Sequence, residues 1–320
     1  MQKILVTGAA GQIGSELVPA LRAQQGADNV IAAGHHTPLP HEVRDAGPCL
    51  TLDVTDPVQV EAALRDHEVG VLYHLSSILS ARAEANRPRA HAVNINGLYN
   101  VLEAAVTSSV RQVNVPSSIA AFGPDTPRFN TPNDTVQRPT TLYGIAKVFG
   151  ELLGNYYFET LGLDVRGLRL PGIISWQTEP TAGTTDYAVA IFYSALRQRR
   201  YTCYLRPDTR LPMMYMPDCI KAITDLAAVD GSQLHHHADF NVAAFSFTPA
   251  ELAEAMQRRL PDFEIDYAID PLRQRIADSW PDSLDDTAAR QEWGWQPAYD
   301  LDAMVDDMLE HLARKLHGRA

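Results

Sequence analysis

The chain predicts an α/β fold: a doubly wound parallel sheet with a smaller, discontinuous C-terminal lobe. Three observations lead there. Short apolar, β-branched runs alternate with helix-like segments through the first 170 residues, the rhythm of a sheet built by crossover helices. Those runs are apolar throughout rather than alternating, as strands covered on both faces are. After Pro171 the rhythm breaks into a stretch rich in Thr, Pro, Gly and aromatic residues, which suits a covering lobe and not further sheet.

The elements follow in order. Lys3–Thr7 reads as the first strand and 13–25 as a helix, then 30–33 and 49–53 as the second and third strands. Pro57 opens a helix over 58–66, because proline's missing N–H costs nothing in a first turn. A fourth strand spans 70–75 and a long helix 89–106; a fifth strand covers 112–115, the helix Leu142–Leu161 follows, and 164–170 is the sixth strand. Beyond it come one helical run at 187–199, a strand–helix piece at 214–229 and a short strand at 241–242. Thr248 and Pro249 open a helix to 259, and a charged amphipathic helix covers 301–316. The predicted division is a Rossmann-type domain over 1–171 with about 214–243, and a substrate-binding lobe from 172–213 and 244–320.

Composition narrows the partners. Of 320 residues, 45% are hydrophobic and 21% charged, which excludes a disordered or collagen-like chain. Lys and Arg number 27 against 39 Asp and Glu, for a net charge of −12. A nucleic-acid partner is therefore not expected, since duplex binding needs a basic face. Cys49, Cys203 and Cys219 are odd in number and widely spaced, matching neither a disulfide framework nor a zinc pattern, so a cytoplasmic location is expected. No leader-like apolar segment follows Met1, and no run of 18 apolar residues predicts a membrane span.

Two motifs carry chemistry. Gly8-Ala9-Ala10-Gly11-Gln12-Ile13-Gly14 joins the first strand to the first helix, where glycines let the backbone approach a pyrophosphate at a helix N-terminus. Its first gap holds two residues where the dinucleotide fingerprint has one. Tyr143 and Lys147 are four residues apart, so on a helix they share a face. A tyrosine acting as a base near neutral pH needs its pKa lowered by about two or three units, which a neighbouring ammonium and a cationic nicotinamide can supply. Ser118 ends the segment after the fifth strand.

Together these resemble the extended short-chain dehydrogenase/reductase superfamily, which includes sugar-nucleotide epimerases. Further segments resemble its L-threonine 3-dehydrogenase family: His74-Leu-Ser-Ser-Ile-Leu-Ser80, Val93-Asn-Ile-Asn-Gly-Leu-Tyr-Asn100, Pro116-Ser-Ser-Ile-Ala-Ala-Phe-Gly-Pro124, Gly183-Thr-Thr-Asp-Tyr-Ala188, Arg210-Leu-Pro-Met-Met-Tyr-Met-Pro-Asp218 and Ser279-Trp-Pro-Asp-Ser-Leu-Asp-Asp286. The likeness runs from the first strand to near residue 300. It implies oxidation of the threonine β-hydroxyl to 2-amino-3-oxobutanoate, with Tyr143 as base, Lys147 lowering its pKa and Ser118 orienting the hydroxyl.

The resemblance also implies cofactor contacts from Gly8, Gly11, Gln12, Ile13, Gly14, His35, Asp53, Val54, Leu75, Ser76, Asn94, Tyr143, Lys147, Pro171 and Ile173. Asn94 is expected to support Lys147 through a backbone or water link. Substrate contacts are implied for Ser80, Ser118, Tyr143, Gly183, Thr184, Thr185 and Trp280. For the threonines, simple capping of the following helix competes with that role, and Trp280 is either an apolar wall or a packing residue. NAD is the implied cofactor, yet Gly34 stands where an acidic residue normally accepts from the adenosine ribose, so NADP stays open. The superfamily pairs the helices 89–106 and 142–161 across a two-fold axis, implying a homodimer, and a functional link to a 2-amino-3-oxobutanoate CoA ligase follows from the product.

Other readings compete. A sugar-nucleotide epimerase or dehydratase shares both motifs, and a non-catalytic NAD(P)-sensing protein would share the glycine turn. No metal is expected: His235-His236-His237 reads as a solvated loop, since three adjacent histidines do not converge easily on one ion. Met213, Met214 and Met216 read as core filler.

Overall fold

A computed structural model describes residues 3–181 and 183–317. Six strands form the central sheet: β1 (Lys3–Thr7), β2 (Val30–Gly34), β3 (Cys49–Thr51), β4 (Val69–His74), β5 (Gln112–Asn114) and, after the two-residue β6 (Ser117–Ser118), β7 (Asp164–Arg166). They lie in the order β3-β2-β1-β4-β5-β7 and every pairing is parallel. The predicted α/β fold with a Rossmann-type parallel sheet is the one observed.

Helices cover both faces because β1 alternates its partners. Ile4 and Val6 pack with Leu17, Val18 and Leu21 of α1 (Gly14–Gln25), whereas Leu5 packs on the other side. There it meets Val60 and Leu64 of α3 (Pro57–Asp66), which follows the short α2 (His41–Arg44). Asp56 caps α3 by accepting from the amides of Val58 and Gln59, with Pro57 in the first turn as its sequence predicts.

The long helix expected over 89–106 is divided. After α4 (Ser80–Ala85) come α5 (Arg87–His91), one π-helical turn (Ala92–Gly97) and α6 (Leu98–Thr107). Such π turns mark places where a helix is widened to aim a side chain, and this one carries Asn94. The sixth strand is also divided. Gly167 donates to the His237 carbonyl at 2.8 Å, which takes the chain out of the central sheet, and β8 (Leu168–Leu170) pairs instead with β6 and with β12 (Phe240–Asn241). This detour carries Ser118 and Leu170 to one place.

The 20-residue α7 (Leu142–Leu161) crosses the sheet face, capped by Thr141, whose hydroxyl accepts from Gly144 at 3.1 Å. Beyond it, β9 (Gly172–Ile174) pairs with β11 (Leu211–Tyr215), itself antiparallel to β13 (Phe245–Phe247). Between them lie α8 (Tyr187–Gln198) and β10 (Arg200–Cys203), the latter paired with β14 (Glu264–Tyr267). The remaining helices are α9 (Met216–Ala228), α10 (Pro249–Gln257), α11 (Pro271–Asp278), α12 (Thr287–Trp293) and α13 (Leu301–His317). A third core gathers Phe192 of α8, Phe247, Met256 of α10 and Met304, Met308 and Leu312 of α13. Met213, Met214 and Met216 are buried, as expected of core filler.

The histidine run is only in part the solvated loop its sequence suggests: His235 is exposed, but His236 and His237 are not. His236 is clamped between Glu292 at 2.5 Å and Asp134 at 3.4 Å, and His237 is buried with its ring 3.5 Å from that of Phe158. Neighbouring carboxylates and an aromatic face hold these rings in place of water. Among the described residues no group of three or more His, Cys, Asp or Glu is arranged to hold a metal, and no helix is long and apolar enough to cross a membrane.

Candidate active site

The C-terminal ends of β1, β4, β6 and β8 open into one cleft enclosing about 1070 Å³ of space, including its open mouth. Ligands of open parallel sheets bind at such strand ends. One end of the cleft is the glycine turn. Gly8 has a φ of +68° and sits so close to the chain after β4 that a side chain there would lie 2.7 Å from the Leu75 carbonyl carbon. A side chain at Gly14 would likewise meet the Gly8 carbonyl at 2.4 Å. The turn is closed by Gly11 donating to Gly8 at 2.9 Å, and α1 starts at Gly14 behind Ile13, which has no side-chain acceptor to cap it. A helix start without its own cap, approached by bare backbone, fits a pyrophosphate. Gln12 spans the cleft by donating to the Ile173 carbonyl at 3.2 Å.

The middle of the cleft holds Ser118, Tyr143 and Lys147. Gly144 explains how Tyr143 comes so near Ser118: a Cβ at 144 would lie 2.1 Å from the Ala120 carbonyl, so only glycine lets α7 begin against that segment. Ser118 hydrogen-bonds the phenol and so acts to lower its pKa, but burial outweighs this and pushes Tyr143 up to about 12. The lowering expected from sequence is assigned to a neighbouring ammonium together with a cationic nicotinamide, and burial by itself acts in the other direction. The physical reason is that burial strips water from the phenolate, and Lys147 stands some way off. Its Nζ donates to the Pro116 carbonyl at 2.7 Å and stands 5.4 Å from the Tyr143 ring centre. Burial pushes the ammonium itself down to about 8, against the charge of Glu151.

Several residues of this centre escaped the sequence reading. Glu151 lies one turn beyond Lys147 on the same face, a spacing that could have revealed it. It is buried with Arg169, Nη2 to Oε2 at 2.8 Å, and also accepts from Ser117 and from Gln137 at 2.6 Å. His74, at the end of β4, hydrogen-bonds Thr7 at 2.9 Å; burial, aided by Lys147, pushes its pKa down to about 3, so it is neutral.

The far end is formed by Ser80, Gly183, Thr184, Thr185 and Trp280. Neither threonine caps α8. Its N-cap position is Asp186, whose carboxylate instead accepts from the Thr181 amide and hydroxyl at 2.5 and 2.6 Å. Thr184 Oγ1 is buried and, among the described residues, has no hydrogen-bond partner, an exception to the pairing usual for buried polar groups. Trp280 lines the cleft and belongs to the same core as Met304, Met308 and Leu312 of α13.

Of the residues named from sequence, Gly8, Gly11, Gln12, Ile13, Gly14, Leu75, Pro171 and Ile173 share this cleft with the catalytic and substrate candidates. Ser76 and Asn94 line a smaller adjoining cavity that shares Lys147. The Asn94 side chain is held by Ile78, accepting from its nitrogen at 2.7 Å and donating to its oxygen at 2.9 Å. His35, Asp53 and Val54 stand apart at the ends of β2 and β3. Asp53 accepts from Thr55 N and Oγ1 at 3.0 and 2.7 Å and faces His35 at 3.8 Å, while Val54 is buried.

A dinucleotide-type sheet with a Ser–Tyr–Lys centre at its strand ends defines a nicotinamide-dependent enzyme class, and the chain belongs to the NAD dependent epimerase/dehydratase family, whose model matches residues 4–243. A relative from Staphylococcus saprophyticus, described as an uncharacterized epimerase/dehydratase, is 46% identical over 98% of both chains. Among solved structures, the L-threonine dehydrogenase of Clostridium difficile is 48% identical with a TM-score of 0.96, covering 98% of each chain. That of Phytophthora infestans is 46% identical with a TM-score of 0.94, over 98% of this chain and 100% of its own.

Proposed function

We propose that the protein is an L-threonine 3-dehydrogenase that oxidises the β-hydroxyl to give 2-amino-3-oxobutanoate. A bound nicotinamide dinucleotide supplies the hydride acceptor. The glycine turn with Gln12, Ile13 and Ile173 would hold its phosphates and ribose, and Leu75 and Pro171 would flank it. Tyr143 takes the hydroxyl proton on its phenolic oxygen, Ser118 fixes the direction of that hydroxyl, and Lys147 adds the local positive charge that favours phenolate. Ser80, Thr184 and Thr185 offer hydroxyls to the amino-acid head group, with Trp280 against the methyl.

The observation that carries this reading is the buried Thr184 hydroxyl, without a hydrogen-bond partner among the described residues, in the cleft that also holds Tyr143. It favours a small polar substrate, and the likeness to threonine dehydrogenases over nearly the whole chain supports the same choice. The division into a dinucleotide-binding part and a lobe from 172–213 and 244–320 belongs to this proposal. So does a homodimer, for which exposed Tyr99 on α6 and Ile145, Leu152 and Tyr156 on α7 supply an apolar face. We also place the enzyme in the cytoplasm, with a CoA ligase consuming its product. The test is absorbance of the reduced nicotinamide with L-threonine, NAD and NADP being tried in turn. Threonine-dependent reduction is expected; turnover of a UDP-sugar with none on threonine would overturn the proposal.

A further inference from the structure

We propose that the corner formed by His35, His36 and Arg89 recognises the 2′-phosphate of an adenosine ribose, so that this protein binds NADP in preference to NAD. The inference rests on the nicotinamide-dependent reading above and deepens it.

In dinucleotide-binding sheets the residue ending the second strand decides this choice. A carboxylate there accepts from a ribose 2′-hydroxyl and repels a 2′-phosphate, while an arginine nearby accommodates the phosphate. Here Gly34 ends β2 and brings no carboxylate. The position is the right one: Thr7 pairs with Ala33, and the Ala9 amide of the glycine turn donates to the Ala33 carbonyl at 3.0 Å. The residues just past β2 therefore flank the turn that fits the pyrophosphate.

Those residues are basic. The rings of His35 and His36 lie 3.8 Å apart. Arg89, 53 residues beyond His36, is brought over by α5 so that its Nη2 lies 3.1 Å from His36 Nε2. Asn86 fixes that approach by capping α5, its Oδ1 accepting from the Arg89 amide at 3.2 Å. Among the described residues Arg89 forms no salt bridge, although the chain carries a net charge of −12 and most of its arginines find a carboxylate. A guanidinium held against an imidazole, with donors to spare, suits a dianionic phosphate, whose oxygens accept bidentate hydrogen bonds.

One carboxylate opposes it. Asp53 Oδ2 faces His35 at 3.8 Å and its charge also reaches Arg89, while Oδ1 accepts from Thr55 N and Oγ1, so one acid stands against three basic side chains.

Equilibrium titration of the full-length protein, free of substrate, tests this without catalysis. NADP should bind at least tenfold tighter than NAD, and adenosine 2′,5′-bisphosphate should displace it better than AMP. Arg89→Ala should bring the NADP/NAD ratio close to one, and Gly34→Asp should reverse it. Because a Cβ at 34 comes within 3.3 Å of the Leu39 side chain, Gly34→Ala is the packing control and should keep the preference. NAD binding as tightly as NADP, or an unchanged ratio in Arg89→Ala, would overturn this inference and leave the dehydrogenase reading intact. If neither dinucleotide binds, both readings fall.

Discussion

Tyr143 and Lys147 show how far two side chains can be pushed by the same burial. The phenol is driven up to about 12 and the ammonium down to about 8, because both charged forms lose water. A proton-accepting Tyr143 thus depends on positive charge in the cleft beyond what Lys147 alone provides. Replacing Tyr143 by Phe removes the acceptor and leaves the ring's volume. Turnover should fall by about 10²–10⁴-fold, the usual worth of a positioned base, while dinucleotide binding persists. Steady-state rates set beside a binding titration check this, and wild-type turnover in the variant would remove the phenol from the mechanism. The Tyr–Lys spacing was readable in the sequence because α7 is one uninterrupted helix. The direction of the phenol's shift was not, because it depends on burial by segments distant in the chain.

At the level of elements, α7 and β8 are joined by the Glu151–Arg169 pair, both side chains almost fully buried. Removing one partner of such a pair strands the other charge and costs about 3–5 kcal/mol, so Glu151→Gln should lose about that much in denaturant unfolding. The same change withdraws the negative charge that holds the Lys147 pKa up. Lys147 then gives up its proton at lower pH, and the alkaline fall in activity should move to the acid side. A destabilised variant with an unmoved pH profile would assign Glu151 to packing alone. The regular elements were legible wherever one apolar period ran unbroken, as in β1, β4 and α7. The 89–106 segment was not, because a π turn keeps the helical period while shifting its register. The 164–170 run was not, because Gly167 passes the strand from one sheet to another by pairing with His237, 70 residues away. The far end of the cleft, Gly183 to Thr185, was visible only through family likeness, since an irregular segment has no period to read.

Across the whole molecule, Glu16 ties the first helix to the last. It stands in the first turn of α1, accepts a hydrogen bond from Ser175 just beyond β9, and feels the charge of Lys315 on α13. Lys315 in turn donates to the carbonyls of Trp176 and Gln177 at 3.1 and 2.6 Å. Burial dominates, raising the Glu16 carboxyl from 4.5 to about 7. The folded chain therefore keeps a proton that the unfolded chain releases between those values. The stability this gives is fully present below about pH 4.5 and is lost as pH rises through 7, a difference of up to about 3 kcal/mol. Glu16→Gln holds the neutral form at every pH and retains an acceptor for Ser175. Its melting temperature should match the wild type near pH 4.5 and exceed it by several degrees at pH 8, the two curves parting between pH 5 and 7. Parallel curves over that range would mean that Glu16 is ionised in the folded protein and that Lys315, rather than a retained proton, balances it.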